Sequence, residues 1–535
     1  MKTKDKQFLT SFLLVLYIVV LIRNAWISDD AYISFRAIEN FIAGYGLNFN
    51  PYVRVQVYTH PLWMLLVSAI YFIQVHILDI SRDNGLYFLV IALSILIAGG
   101  AFYLTLHKLT KNNFYSKLSF GIIIISSKAF IDYSTSGLEN PLSYLLLGIF
   151  IITFLREKQN LFALTFHAAL LFVNRPDMIL LVFPALIFSF GTDQQSWKRK
   201  FRNLFFGLLP MFFWELFSLL YYGFPFPNTA YAKLNTGITK AALLTQGIDY
   251  FIDSLTYDPV TLFVILLTGI GIAIEKEKKS IAAYTGILFY LVYILYIGGD
   301  FMSGRFFAAP FFLSAIFFSR LRSFSKQVFL TAVASILLLM VYSGHSPLMS
   351  LTARSLADKS SINNVTKDKR IDMLIGDNGI ADEKAIYFSP LGLTELGVRH
   401  AKGGSFYAGK KWIFTGIKDV TMEISLGQVA YYKGPNFYIT DHLALSDPLL
   451  ARLPTHDKVY WRSGHFWRAK PKGYIQTLKN QENLIENKDL AQYYDKLKIL
   501  TEAPIWTVDR FVLIWEFNTG QYDYLLEKYL ETINQ

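Results

Sequence analysis

Long apolar runs separated by short polar or basic stretches fill the first two-thirds of the chain and stop near residue 344. A helix that crosses a bilayer takes about 20 mostly apolar residues, fewer where it is buried among other helices. Runs of this kind fall at 8–26, 86–106, 118–134, 140–155, 160–174, 177–190, 203–222, 260–274, 280–297, 306–319 and 327–343. A further run at 61–78 is long enough to cross but carries Gln74 and His76. After 344 charged residues, Gly and Asn rise; the short runs 385–388, 428–432 and 436–439 predict strands, and 486–500 and 520–532 predict helices. The pattern predicts a polytopic α-helical membrane protein of about 11 spans over residues 1–343, with an outer juxtamembrane loop at 27–85. A C-terminal extracytoplasmic α/β domain is expected over 344–535.

Composition agrees with a lipid solvent. Of 535 residues, 53% are apolar and 17% charged, against about 25% charged in an ordinary soluble chain. The formal net charge of +11 does not point to nucleic acid, because the basic residues cluster between apolar runs and no basic-aromatic reading motif accompanies them. With no cysteine the chain has neither disulfides nor thiol chemistry. The basic start, Lys2 to Gln7, followed by apolar residues 8–22 without a small-x-small site, reads as an uncleaved first span.

Charge also decides whether 61–78 crosses. If it lies on the outer surface and the N-terminus is cytoplasmic, the basic clusters at 2–6, 107–117, 156–158, 198–202, 275–279 and 320–326 all fall inside, as the positive-inside rule expects. The expected location is therefore the inner (cytoplasmic) membrane, multi-pass, with the C-terminal domain outside. The same topology gathers five polar segments at the outer face: 28–36, 136–140, 174–177, 224–233 and 298–305.

Within those segments, Asp29 and Asp30 follow the first span. Two carboxylates at a helix start suit the helix dipole; alternatively, one serves as a general base for an attacking hydroxyl while the other binds or orients. Arg36 lies one to two turns on. Tyr58, His60 and Trp63 fit an aromatic belt or a platform for a sugar or polyprenyl chain. Lys128, Arg175, Lys233 and Arg305 stand near outer span ends, where a charge is costly enough to suggest function, and arginine suits bidentate phosphate contact. Glu139, Asp177 and Asp300 could pair with those cations, hold a divalent ion or bind sugar hydroxyls, and Asn228 could bind sugar or cap a helix.

The sequences DDAYISFR, GYGLNFNP and YTHPLW in the first outer loop, then TSGLENPLSYLLL at 135–147, NRPDM at 174–178, YYGFPFPNTAYAK at 221–233 and GGDFMSGRF at 298–306, continue as DHLALSDPLLAR at 441–452 and SGH at 463–465. In this order they resemble the GT-C superfamily of membrane glycosyltransferases, and within it the group of the mycobacterial terminal arabinofuranosyltransferase and its bacterial relatives. The resemblance implies an inverting transfer from a polyprenyl-phosphate sugar to a glycan or glycolipid acceptor at the outer face. It implies an acidic base in the first outer loop, Asp29 or Asp30, with Asp29 preferred. Arg175, Arg305, Lys128 and Lys233 would meet the donor phosphate. Arg36, Tyr58, His60, Trp63, Glu139, Asp177, Asn228 and Asp300 would contact substrate. Some members use a divalent cation, which this sequence neither requires nor excludes. Gln56-Val57 and Met178 depart from the group's usual pattern, which bears on the sugar and acceptor. Two other classes compete: a transporter or lipid flippase, which would carry a polar path across the membrane, and a non-catalytic envelope or motility assembly factor with the same fold.

Overall fold

The computed structural model describes residues 3–534 apart from 81–84, 111–113, 235, 322–325, 350–377, 396–411, 424–425, 457 and 459–460. Part of the segment where composition changes after 344, residues 350–377, and parts of the basic clusters at 107–117 and 320–326 fall outside the described residues. The chain forms two compact units: Met1–Ser28, Asn84–Pro210 and Thr239–Phe406 make the first, and Asp29–Asp83, Met211–Ile238 and Tyr407–Gln535 the second.

The first unit is helical, and its helices are apolar on the exposed side as well as the packed side. In the helix Thr3–Asn24, Leu13, Tyr17 and Leu21 are buried, while Phe8, Phe12, Val15 and Val19 form an exposed stripe at i, i+4, i+7 and i+11. A water-facing helix would carry polar residues there, so this stripe belongs against lipid. Among the described residues four helices, Gln7–Asn24, Gly85–Lys108, Trp197–Tyr222 and Lys278–Ile297, are long and apolar enough to cross a bilayer. A fifth is added if the bent pair Lys240–Tyr257 and Pro259–Glu275, which turns by 104°, counts as one span. Phe114–Ser126, Asn140–Leu155, Leu161–Asn174, Pro176–Thr192, Arg305–Phe318 and Leu330–Ser343 are shorter apolar helices, about 20–26 Å at 1.5 Å per residue. The run at 118–134 is divided because the Ser127 hydroxyl accepts from Phe130 N (3.0 Å) and starts a new helix, Lys128–Tyr133. Packing is tight enough that a Cβ on Gly286 would lie 2.0 Å from the Leu181 carbonyl oxygen.

Residues 385–388, expected as a strand, belong instead to the helix Glu383–Leu391. The cause is a cap: the Asp382 carboxylate accepts from Ala385 N at 3.1 Å and starts the helix. On either side, Ala381 N donates to Phe301 O (2.7 Å) and Leu393 N to Ala25 O (2.8 Å), which fastens this segment to the GGD loop and to the end of the first helix.

The second unit holds the helix Asp29–Ile42, the helix Pro61–Phe72, the last turns of Trp197–Tyr222 and the C-terminal elements. Its described sheet is two parallel strands, Asp419–Glu423 and Phe437–Asp441, in register from Asp419↔Phe437 to Glu423↔Asp441. Strand pairing at 436–439 matches the sequence pattern. Residues 428–432 do not form the expected strand; they make the crossover helix Gln428–Lys433 between the two strands. Helices Lys488–Glu502, Val508–Asn518 and Asp523–Asn534 follow, and Leu490, Leu497, Leu500, Leu513, Ile514 and Leu525 pack with Leu449 and Leu450 into the core.

Candidate functional site

The acidic pair opens the helix Asp29–Ile42, where two negative charges in the first turn complement the helix dipole. The fold then separates their roles. Asp29 is buried, and its two carboxylate oxygens accept from the backbone amides of Gly427 (3.0 Å) and Gln428 (2.8 Å). Asp29 thereby caps the crossover helix from about 400 residues away in sequence, which is why residues 428–432 are helical. Gly427 permits that approach: a Cβ there would lie 1.9 Å from the Asp29 carbonyl oxygen. Asp30, next in the chain, is partly exposed.

Arg36 is fully buried and acts as a clamp on the backbone. It donates through Nε to Phe49 O (2.8 Å), through Nη1 to Gly434 O (2.9 Å) and Ala430 O, and through Nη2 to Phe437 O (2.9 Å). Burial pushes its guanidinium down to about 9. Tyr58, His60 and Trp63 are also buried: the Tyr58 hydroxyl lies 2.6 Å from that of Tyr222, and His60 Nε2 lies 2.9 Å from the Ser34 hydroxyl. None of the three offers a stacking face at the surface of the unit. Asn228 donates through Nδ2 to the carbonyls of Ala444, Leu445 and Asp447 (3.0, 3.0 and 3.1 Å). Lys233 is exposed near the end of the helix Asn228–Leu234.

The DHLALSDPLLAR motif proves to be a braced turn. Asp441 accepts from the amides of Leu445 and Ser446 (2.9 and 2.8 Å), and Asp447 from those of Leu449 and Leu450 (3.0 and 2.9 Å) and from the Tyr474 hydroxyl (2.8 Å). Burial pushes both carboxyls up, against these amide hydrogen bonds that hold them down.

In the first unit, three of the motifs converge. Glu139, fully buried, accepts from Arg175 Nη1 (3.2 Å) and Arg305 Nη2 (3.3 Å). Arg175 also pairs with Asp177, with Nε–Oδ1 at 2.9 Å and Nη2–Oδ2 at 2.9 Å, and Asp177 accepts from the Tyr290 hydroxyl (2.8 Å). Arg305 reaches Asp300 more loosely, at 3.7 Å, and the Arg175 guanidinium lies 4.6 Å over the Phe306 ring. Two arginines and three carboxylates thus make one network from the LEN, RPD and GGD segments.

Lys128 belongs to a second cluster, paired with Asp132 and, at 3.3 Å, with Asp382. Lys384 completes it, donating to Asp132 (2.7 Å) and to the Asn24 side-chain oxygen (2.6 Å). The sequence reading missed Asp132, Asp382, Lys384 and Tyr290. Asp132 alone carried a signal, a charge inside an apolar run; Asp382 and Lys384 lie where hydropathy had already assigned the chain to another domain. Among the described residues no group of three or more His, Asp or Glu is placed to hold a metal ion. Glu139, Asp177 and Asp300, the sequence candidates for oxygen ligands, face arginines.

Two curated proteins are similar to this chain. The terminal β-(1→2)-arabinofuranosyltransferase of Corynebacterium glutamicum is 26% identical over 330 residues, covering 54% of this chain and 46% of that protein. The terminal β-(1→2)-arabinofuranosyltransferase of Mycobacterium tuberculosis is 24% identical over 333 residues, covering 54% of this chain and 51% of that protein. The chain thus spans about half the length of the curated relatives it matches. No family model matches it, and no solved structure does. Sequence motifs, apolar helices and these two relatives agree: the chain resembles the terminal arabinofuranosyltransferase group of membrane glycosyltransferases.

Proposed function

We propose that the protein is a membrane glycosyltransferase that moves a sugar, of the pentofuranose class, from a polyprenyl-phosphate donor to a cell-envelope glycan or glycolipid. The observation that carries this reading is the similarity to two arabinofuranosyltransferases. The reaction is an inverting displacement at the outer face of the inner membrane. An acceptor hydroxyl attacks the anomeric carbon as a carboxylate takes its proton, and the polyprenyl phosphate leaves with the bonding pair. One base and cations for the departing phosphate are sufficient.

The geometry favours Asp30 as the base. Both oxygens of Asp29 accept backbone amides, an arrangement that stabilises the ionised form and fixes the side chain. Asp30 is the partly exposed member of the pair. Of the cations, Arg305 is the first choice for the donor phosphate. Its 3.7 Å contact with Asp300 is looser than the two-point pairing of Arg175 with Asp177, so a phosphate replaces Asp300 at lower cost. The backbone carbonyls that Arg36 and Asn228 hold support a bracing role for both beside the site.

The test is transfer by purified, reconstituted protein from a polyprenyl-phosphate pentofuranose to an arabinan oligosaccharide. Asp30→Asn should lose about 10²–10⁴-fold in rate with unchanged thermal unfolding. Asp29→Asn should lower the unfolding temperature first. Full transfer by Asp30→Asn and by the double variant would remove the assignment.

A further inference from the structure

The helix Val508–Asn518 turns an apolar face outward. Val508, Phe511, Val512 and Trp515 recur at i, i+3, i+4 and i+7, and Trp506 precedes them; Trp506, Val508 and Trp515 are 76%, 78% and 68% exposed. Two exposed tryptophans, Trp515 on the helical face and Trp506 with its ring centroid 6.1 Å from that of Phe511 on the same face, are unusual for a surface that meets only water.

The other side of this helix is fixed to the end of a membrane span. Arg510, fully buried, donates to Leu220 O (2.6 Å) and Tyr221 O (2.8 Å), and also to Leu500 O (2.9 Å). At the far end, Asn518 Nδ2 donates to Gly223 O (2.8 Å). Those acceptors are the last carbonyls of Trp197–Tyr222, a 26-residue helix apolar enough to cross a bilayer, and the residue that follows it. One to two turns back along that helix, Leu216, Phe213 and Phe212 are exposed apolar residues, about 6–12 Å from the tether points at 1.5 Å per residue. The Val508–Asn518 helix is therefore fastened to the end of a candidate span, within about two turns of exposed apolar residues on it.

We propose that Trp506 and the Val508, Phe511, Val512 and Trp515 face seat the C-terminal part of the chain in the outer interface of the bilayer, as an interfacial anchor on lipid. Interfacial helices bury their apolar face about 5–10 Å into the headgroup–acyl boundary, comparable with the distance from the tethers to the exposed apolar residues of the span. Tryptophan suits that layer, with an apolar ring and a polar N–H. Asp509 and Glu516 are the charged residues beside the face, and Arg510 is turned inward. Attachment thus depends on apolar area and not on anionic lipid.

The absence of cysteine makes a direct test simple. Single cysteines at Val508, Val512 and Trp515, with Gln492→Cys as the exposed reference, are spin-labelled in the full chain and reconstituted into phosphatidylcholine vesicles. The expected result is a several-fold higher ratio of oxygen to nickel-chelate collision at 508, 512 and 515 than at 492, unchanged when anionic phosphatidylglycerol is added. Ratios equal to that at 492 would place the face in water and overturn the proposal. Labels shielded from both reagents would overturn it in favour of a second copy or a protein partner.

Discussion

At the scale of single residues, desolvation gives the partly buried His465 a pH dependence. It is pushed well below the ordinary histidine value, first by desolvation and then by the neighbouring positive charges of Arg462 and Lys233. A depressed folded value means that the native state holds the ring neutral while the unfolded chain protonates near 6.5. This contribution is therefore fully present above about pH 6.5 and is lost as pH falls toward the folded value, at up to about 1.4 kcal/mol per pH unit. The raised carboxyls of Asp441 and Asp447 act with the opposite sign, since their contribution is present at low pH and lost as pH rises. Comparison with His465→Asn isolates the histidine. Between pH 7.5 and 5.5, the amide protection factors over residues 461–468, in which the intrinsic pH dependence of exchange is divided out, should fall in the natural chain and change much less in the variant. An equal fall in both would show that His465 is not the titrating group.

At the scale of elements, the sequence was informative about apolar periodicity and uninformative about who caps whom. The long runs became helices, and 436–439 became a strand. Residues 428–432 are a short run that reads as a strand, yet two amide hydrogen bonds to Asp29 start a helix there. Arg36 is legible as a charge near the acidic pair, but the carbonyls it clamps lie near residues 430–437. Such long-range partners leave no mark in a local pattern. Gly427→Ala tests the cap: its Cβ would meet Asp29, and the forced shift should cost about 1–3 kcal/mol and lower transfer along with stability. An unchanged unfolding temperature would contradict the close approach. The Lys128, Asp132, Asp382 and Lys384 cluster makes a different prediction. Lys384→Met leaves Asp132 with one cation fewer, and breaking a buried pair costs about 3–5 kcal/mol. Adding Asp132→Asn should recover part of that loss, so a double variant no more stable than Lys384→Met alone would deny the coupling.

At the scale of the whole molecule, the orientation expected from the basic clusters is a prediction of its own. Trp197–Tyr222 begins with Lys198, Arg199, Lys200 and Arg202 and ends at the carbonyls that Arg510 holds. At 26 residues it is about 39 Å long, more than the roughly 30 Å hydrocarbon thickness. The proposed transfer at the outer face expects the C-terminal helices outside, and the positive-inside rule expects the basic loops in the cytoplasm. Single cysteines decide this in intact cells. Lys528→Cys, exposed on the helix Asp523–Asn534, should react with a membrane-impermeant maleimide without permeabilisation. Lys158→Cys, exposed in a basic loop, should react only after it. The reverse pattern would invert the topology and place Asp30 on the cytoplasmic side, where transfer at the outer face could not use it.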